Sequence, residues 1–267
     1  MAHIIAVANQ KGGVGKTTTA LNLAASLAAA ERRVLALDID PQGNLSSGLG
    51  YPKATVGQHV YQALTGEANL EAVMLETDLE FLKLIPAHPD LAGAEIELVD
   101  IPERHSRLSA ALAPLDTRFD YVLIDCPPSL GLLTLNALCA AHAVLVPLQC
   151  EYYALEGLSH LISTIERVRA AYNPGLKLEG ILLCMYDKRM NLSRQVAEEV
   201  RHHFDGEVFE TVIPRNVRLG ESPSFGKPVL LYDIDSAGSR GYLQLAQELL
   251  RRRGEERPRK RQRQRRP

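Results

Sequence analysis

The stretch Asn9–Leu27, NQKGGVGKTTTALNLAASL, decides the fold. Its end, Gly15-Lys16-Thr17, closes a phosphate-loop pattern of the form G-x-x-x-x-G-K-[ST]. The position that should open the pattern holds Gln10 instead of glycine, and the variable positions carry a second lysine, Lys11, then Gly12, Gly13 and Val14. The short apolar run His3–Ala8 precedes the loop, and Ala20, Leu23, Ala24 and Leu27 follow it at helical spacing. Strand, glycine-rich loop and helix in that order form a phosphate cradle: successive backbone N–H groups curl around anionic oxygens and the helix dipole adds to them. Lys16 is placed to reach the β- and γ-phosphates and Thr17 to ligate Mg²⁺. Lys11 has no role in that pattern.

The same alternation continues outward. Strand candidates are His3–Ala8, Arg33–Ile39, Glu80–Ile85, Tyr121–Cys126, Ala143–Pro147, Leu178–Met185 and Val208–Ile213. Most are almost continuously apolar, as strands covered on both faces must be. Helical periodicity separates them, for example Leu155, Leu158, Ile162, Ile165 and Val168. The expected fold is α/β: a doubly wound, mostly parallel sheet flanked by helices, of the P-loop nucleotide-hydrolase type. A single domain is expected over residues 1–253, followed by a basic, disordered tail at 254–267.

Two further stretches carry chemistry. LDIDPQGN (Leu37–Asn44) ends a strand in Asp38 and Asp40, which share a face if the segment stays extended. Carboxylates there can orient an attacking water or hold metal. YVLIDCPPS (Tyr121–Ser129) ends an apolar strand in Asp125, the arrangement in which an aspartate meets Mg²⁺, and Pro127-Pro128 stiffens the loop behind it.

Composition sets the limits. The chain has 267 residues, 46% hydrophobic, with a formal net charge of −2. That average hides an asymmetry. Residues 251–267 hold ten basic residues against Glu255 and Glu256, so the remainder is acidic. Such a tail suits a polyanionic partner or simple solubilisation. The four cysteines are scattered without metal spacing, as expected of reduced thiols in a cytoplasmic protein. Leu130–Leu148 is apolar but contains Asn136, His142 and Pro147, so it is expected to be a buried helix and strand rather than a membrane span.

Together, Lys11–Thr18 (KGGVGKTT), Asp38–Asn44 (DIDPQGN) and Asp125–Ser129 (DCPPS) resemble the ParA/MinD family of deviant Walker A ATPases. The stretches Pro147–Gly157, Met185–Ser193 and Ile213–Val229 are similar to its chromosome-partitioning ParA (Soj) branch in particular. The resemblance implies slow Mg²⁺-dependent ATP hydrolysis, with ATP and Mg²⁺ as cofactors. It implies an ATP-dependent homodimer in which Lys11 is the signature lysine reaching the partner's phosphates. Asp40 takes the catalytic place beside Lys11 and Lys16, and Thr17 and Asp125 the metal place. Gly12, Gly13, Val14, Gly15, Lys16, Thr17 and Thr18 line the phosphates, while Met185, Pro214, Arg215 and Asn216 border the base. Arg189 and Arg218 match arginines used for nonspecific double-stranded DNA. The implied partner is a ParB-type DNA-binding protein, and the implied location the nucleoid within the cytoplasm. No apolar terminal helix follows Leu250, so no membrane partner is expected. No helix-turn-helix segment precedes the P-loop strand, so operator recognition is not expected. Two alternatives share these motifs: a MinD-like or other positioning ATPase for a non-DNA cargo, and an ATP-gated binding module with negligible turnover.

Overall fold

A computed structural model describes residues 1–152 and 154–255. Its core is an eight-stranded sheet in the order β3-β4-β2-β5-β1-β6-β7-β8. The strands are β1 (His3–Val7), β2 (Val34–Asp38), β3 (Leu75–Glu76), β4 (Leu82–Ile85), β5 (Tyr121–Asp125), β6 (Ala143–Gln149), β7 (Lys177–Tyr186) and β8 (Val208–Pro214). All neighbours are parallel except β3, which pairs antiparallel with β4. All seven expected strands are present. β3 is the addition, and at two residues it has no periodicity to read.

The connecting helices are α1 (Lys16–Ala29), α2 (Asn44–Gly48), α3 (Val60–Thr65), α4 (Leu91–Glu97), α5 (Arg107–Leu112), α6 (Leu132–Ala140), α7 (Ala154–Ala171), α8 (Asn191–His203), α9 (Val217–Glu221), α10 (Val229–Tyr232) and α11 (Ala237–Arg252). The strands β1, β2 and β5 are nearly free of polar residues because helices cover both their faces. One core joins α3 to α8 with one face of the sheet; the other joins α1 and α11 with the opposite face. Leu21, Leu23 and Leu27 of α1 are at most 1% exposed. Burying each side chain contributes about 1.5–3 kcal/mol, which fixes the helix and the loop before it against the sheet.

The apolar window at 130–148 is the buried helix α6 followed by the buried strand β6. Among the described residues no helix is long and apolar enough to cross a membrane. Helix α11 closes at Arg252, and Glu255, placed in the tail by composition, is tied to the body. Its carboxylate accepts from the Tyr121 hydroxyl at 2.7 Å and its carbonyl from Arg32 at 2.5 Å. The remainder of the expected tail, residues 256–267, lies outside the described residues.

Candidate functional site

The carboxyl ends of parallel strands are where open α/β sheets bind ligands. Here β1, β2, β7 and β8 deliver their loops to one cavity of about 510 Å³. The loop after β1 is pinned from below: Asn9 donates to the Pro147 carbonyl at 2.8 Å and accepts the Lys11 N–H at 3.0 Å. Gly13 (φ 75°) and Gly15 (φ 98°) take left-handed conformations that side chains resist. At Gly12 and Gly13 a Cβ would meet nothing within 4 Å, so both backbones face open space. Gly15 caps α1 with no side chain, which leaves the first-turn N–H groups turned toward the cavity. The Val14 side chain, 1% exposed, is turned into the protein and anchors the loop.

The two lysines separate completely. Lys16 lines the cavity, 7% exposed, and donates to the Lys11 carbonyl at 3.0 Å. Burial pulls its pKa below the usual lysine value, while Asp125, Cys126 and Asp40 pull it back up. The Lys11 side chain does not line its own cavity. It is nearly half exposed and forms an ion pair with Glu151, which is equally exposed.

The aspartates separate as well. Asp38 and Asp125 are register partners on adjacent strands, and both are fully buried. Asp38 accepts the Ser46 N–H at 2.8 Å and the Ser46 hydroxyl at 2.7 Å, and the same hydroxyl oxygen accepts the Ala87 N–H at 3.0 Å. Asp38 thus holds α2 in place and does not line the cavity. Asp40 lies beyond the end of β2, lines the cavity, and accepts the Gln42 N–H at 2.8 Å. The strand stops at Asp38, and of the two carboxylates Asp40 is the one that lines the cavity. Neither carboxylate oxygen of Asp125 has a hydrogen-bond partner, although the Thr17 hydroxyl stands close enough to ease its charge. Burial first, then Asp38, raises the Asp125 pKa well above the usual carboxylate range; burial likewise pushes Asp38 up to about 7.

Of the remaining expected residues, Thr17, Thr18, Met185, Pro214, Arg215 and Asn216 all line the cavity. Met185 does so with φ 50°, a left-handed conformation unusual for a residue without a short polar side chain. Gln42, Asn44, Pro128 and Tyr242 line it too and were not anticipated. Gln42 and Asn44 sit inside the DIDPQGN stretch, where their side chains offered a signal. Tyr242 sits on the buried face of α11, which places it there only through the tertiary fold.

Arg189 and Arg218 lie outside the cavity, each already matched to acid. Arg189 is bound by Asp187 at 2.7 Å, and Arg218 by Glu221 at 2.8 Å and Asp233 at 3.1 Å. A neighbouring cleft gathers Lys188, Arg189, Arg215 and Arg240. Lys188, Arg215 and Arg240 make no ion pair among the described residues.

Comparison with known proteins agrees with this architecture. A family model described as an AAA domain matches residues 2–178. The chain is 57% identical over 261 residues to the chromosome partitioning protein ParA of Myxococcus xanthus, covering 98% of this chain and 92% of that one. It is 54% identical over 246 residues to the chromosome-partitioning ATPase Soj of Thermus thermophilus, covering 92% and 94%. A Mycobacterium smegmatis structure named cobyrinic acid a,c-diamide synthase, solved with an ATP analog and magnesium, superposes with a TM-score of 0.84. Its identity is 42%, over 95% of this chain and 96% of that one.

Proposed function

Because the chain belongs to the ParA/MinD-type P-loop ATPases, in their ParA/Soj chromosome-partitioning branch, we propose that ATP binding pairs two copies of it. The pair binds double-stranded DNA without sequence preference, and a ParB-type protein stimulates hydrolysis that releases it. Residues 1–253 are the ATPase domain and 254–267 a basic accessory tail, in a nucleoid-associated protein of the cytoplasm.

The observation that supports this reading is the separation of the two lysines. A single nucleotide in the cavity satisfies Lys16 and leaves Lys11 outside. A lysine on the rim, next to a cavity for a polyphosphate, has a use when a second copy brings its own phosphates opposite. Each Lys11 then offsets charge that the partner's Lys16 does not reach. Pairing becomes conditional on nucleotide, since without the phosphates the facing basic loops repel.

Within the site, the N–H groups of Gly12–Thr18 and Lys16 bind the phosphates, and the cleft between Met185 and Pro214–Asn216 holds the base. Thr17 and Asp125 are suited to hold Mg²⁺, the Asp125 oxygens being buried, unpartnered and destabilised without a cation. When bound, the ion supplies neutralisation of charge developing on the phosphate oxygens. Asp40, beyond the strand end, orients the water that attacks the terminal phosphorus as the bond to ADP breaks.

Phosphate release, measured alone and with DNA and a ParB-type protein, tests the proposal. Turnover should be slow alone and rise with both additions. Lys16→Ala should abolish it, and Asp40→Ala should retain ATP but lose at least about 100-fold in rate. Unchanged turnover in Asp40→Ala contradicts its assignment.

A further inference from the structure

Beyond the carboxyl end of β4, two imidazoles and a carboxylate come together. His59 immediately precedes α3; His88 and Asp90 lie in the loop between β4 and α4. Their ligand-type atoms all fall within 4.8 Å of one another. His59 Nε2 stands 3.8 Å from Asp90 Oδ2, and His88 Nδ1 stands 3.1 Å from the same oxygen. None of the three residues lines the nucleotide cavity.

His59 caps α3, where it forms a capping box with Gln62, and its contacts within the cluster are loose. Its side chain is 4% exposed, 3.8 Å is too long for a hydrogen bond, and Nδ1 is buried without a partner. Besides its 3.1 Å approach to Asp90 Oδ2, His88 Nδ1 receives a long 3.4 Å contact from the Asp90 N–H. The rings stack at 4.5 Å with 15° between planes, and the His88 side chain, 28% exposed, has room to turn. A buried imidazole nitrogen left without a hydrogen bond is uncommon in a folded protein.

We propose that His59, His88 and Asp90 form a binding site for a zinc-class transition-metal dication, distinct from the Mg²⁺-nucleotide site. Two imidazoles and one carboxylate are a common three-residue donor set for such ions, with a fourth position left to water. Ligand atoms at about 2.0–2.1 Å from a tetrahedral ion stand about 3.3 Å apart. The existing 3.1 and 3.8 Å separations bracket that value, so small side-chain shifts close the site.

The position gives the ion a structural consequence. Val60 N–H already donates to the Pro86 carbonyl at 3.0 Å, and Ala87 N–H to the Ser46 hydroxyl oxygen at 3.0 Å. A cation clipping His59 to His88 and Asp90 therefore tightens the segment that supports Ser46 and, through it, Asp38.

Titration of the nucleotide-free full-length chain with Zn²⁺, by calorimetry, and with Co²⁺, by visible absorption, tests the site. One ion per chain should bind with the intense absorption of low-coordinate Co²⁺, and Zn²⁺ should raise the melting temperature. His88→Gln and Asp90→Asn, both at positions open to solvent, should each weaken this binding by at least about tenfold. Asp125→Asn should leave it intact, separating this site from the nucleotide centre. Circular dichroism of the variants confirms that each is folded. Absence of a stoichiometric ion, or binding undiminished in both folded variants, overturns the proposal.

Discussion

Replacing Asp125 with asparagine should make the nucleotide-free protein more stable while destroying its activity. The side chain is fully buried, both oxygens lack partners, and Asp38 is its register partner on the adjacent strand. Leaving a buried polar group unsatisfied costs about 1–3 kcal/mol, and more for a charge. Asparagine keeps the shape and, although its amide is unpartnered too, removes the charge and its repulsion from Asp38, so a gain of about 2 kcal/mol is expected. For a chain of this size, each kcal/mol moves the melting temperature by about 2–4 °C. The upward shift at pH 8, without divalent ions, is therefore roughly 4–8 °C. The sign of the pH dependence follows from the direction of the shifts. Both carboxyls have folded-state pKa values raised above their unfolded ones, Asp38 to about 7 and Asp125 well above the usual range. Their charge therefore costs stability at pH 8, and the cost is relieved as pH falls through the folded values toward about 4. Calorimetric melting of wild type and Asp125→Asn at pH 8 and pH 5.5 measures this, and the gap between them should narrow at the lower pH. Phosphate release by the variant should fall at least about 100-fold. A variant less stable than wild type at pH 8, or a gap unaffected by pH, refutes the reasoning.

Further outcomes follow from the charged rim and the tail. Glu151→Gln releases Lys11 from a half-exposed ion pair worth about 0–1 kcal/mol in each of the two copies, so ATP-dependent pairing should strengthen by up to about thirtyfold. High salt should erase that gain, which sedimentation at two ionic strengths checks. For DNA, Arg240 has no ion pair among the described residues, so Arg240→Ala should lower the salt slope of binding by about one for each phosphate this side chain neutralises. Arg189→Ala should do less, because Asp187 already takes up part of its charge, and Asp187→Asn should raise affinity. Deleting 254–267 should weaken DNA binding with and without ATP; fluorescence anisotropy across a salt series reads all four.

The sheet and the phosphate loop were legible because local pattern and global fold agree there. A buried parallel strand has to be apolar, and a loop with left-handed residues has to use glycine at Gly13 and Gly15. Where contacts are long-range, the pattern was silent. Asp38 and Asp40 look equivalent in sequence, yet one holds Ser46 and the other lines the cavity, a division made by where β2 stops. Tyr242 reaches the cavity from α11, near the far end of the chain, and nothing local marks it. The cluster of His59, His88 and Asp90 joins two loops that the pairing of β2 with β4 and the Val60–Pro86 hydrogen bond bring together.

The central claim is that Lys11 serves the partner's nucleotide rather than its own. Light scattering coupled to size exclusion, with ATP and Mg²⁺ in the Asp40→Ala background, measures it most directly. That background should run as a dimer with ATP and a monomer without. Adding Lys11→Ala should leave it monomeric in ATP while nucleotide binding to each single chain persists through Lys16. An ATP-dependent dimer of equal stability in the Lys11→Ala protein contradicts the account.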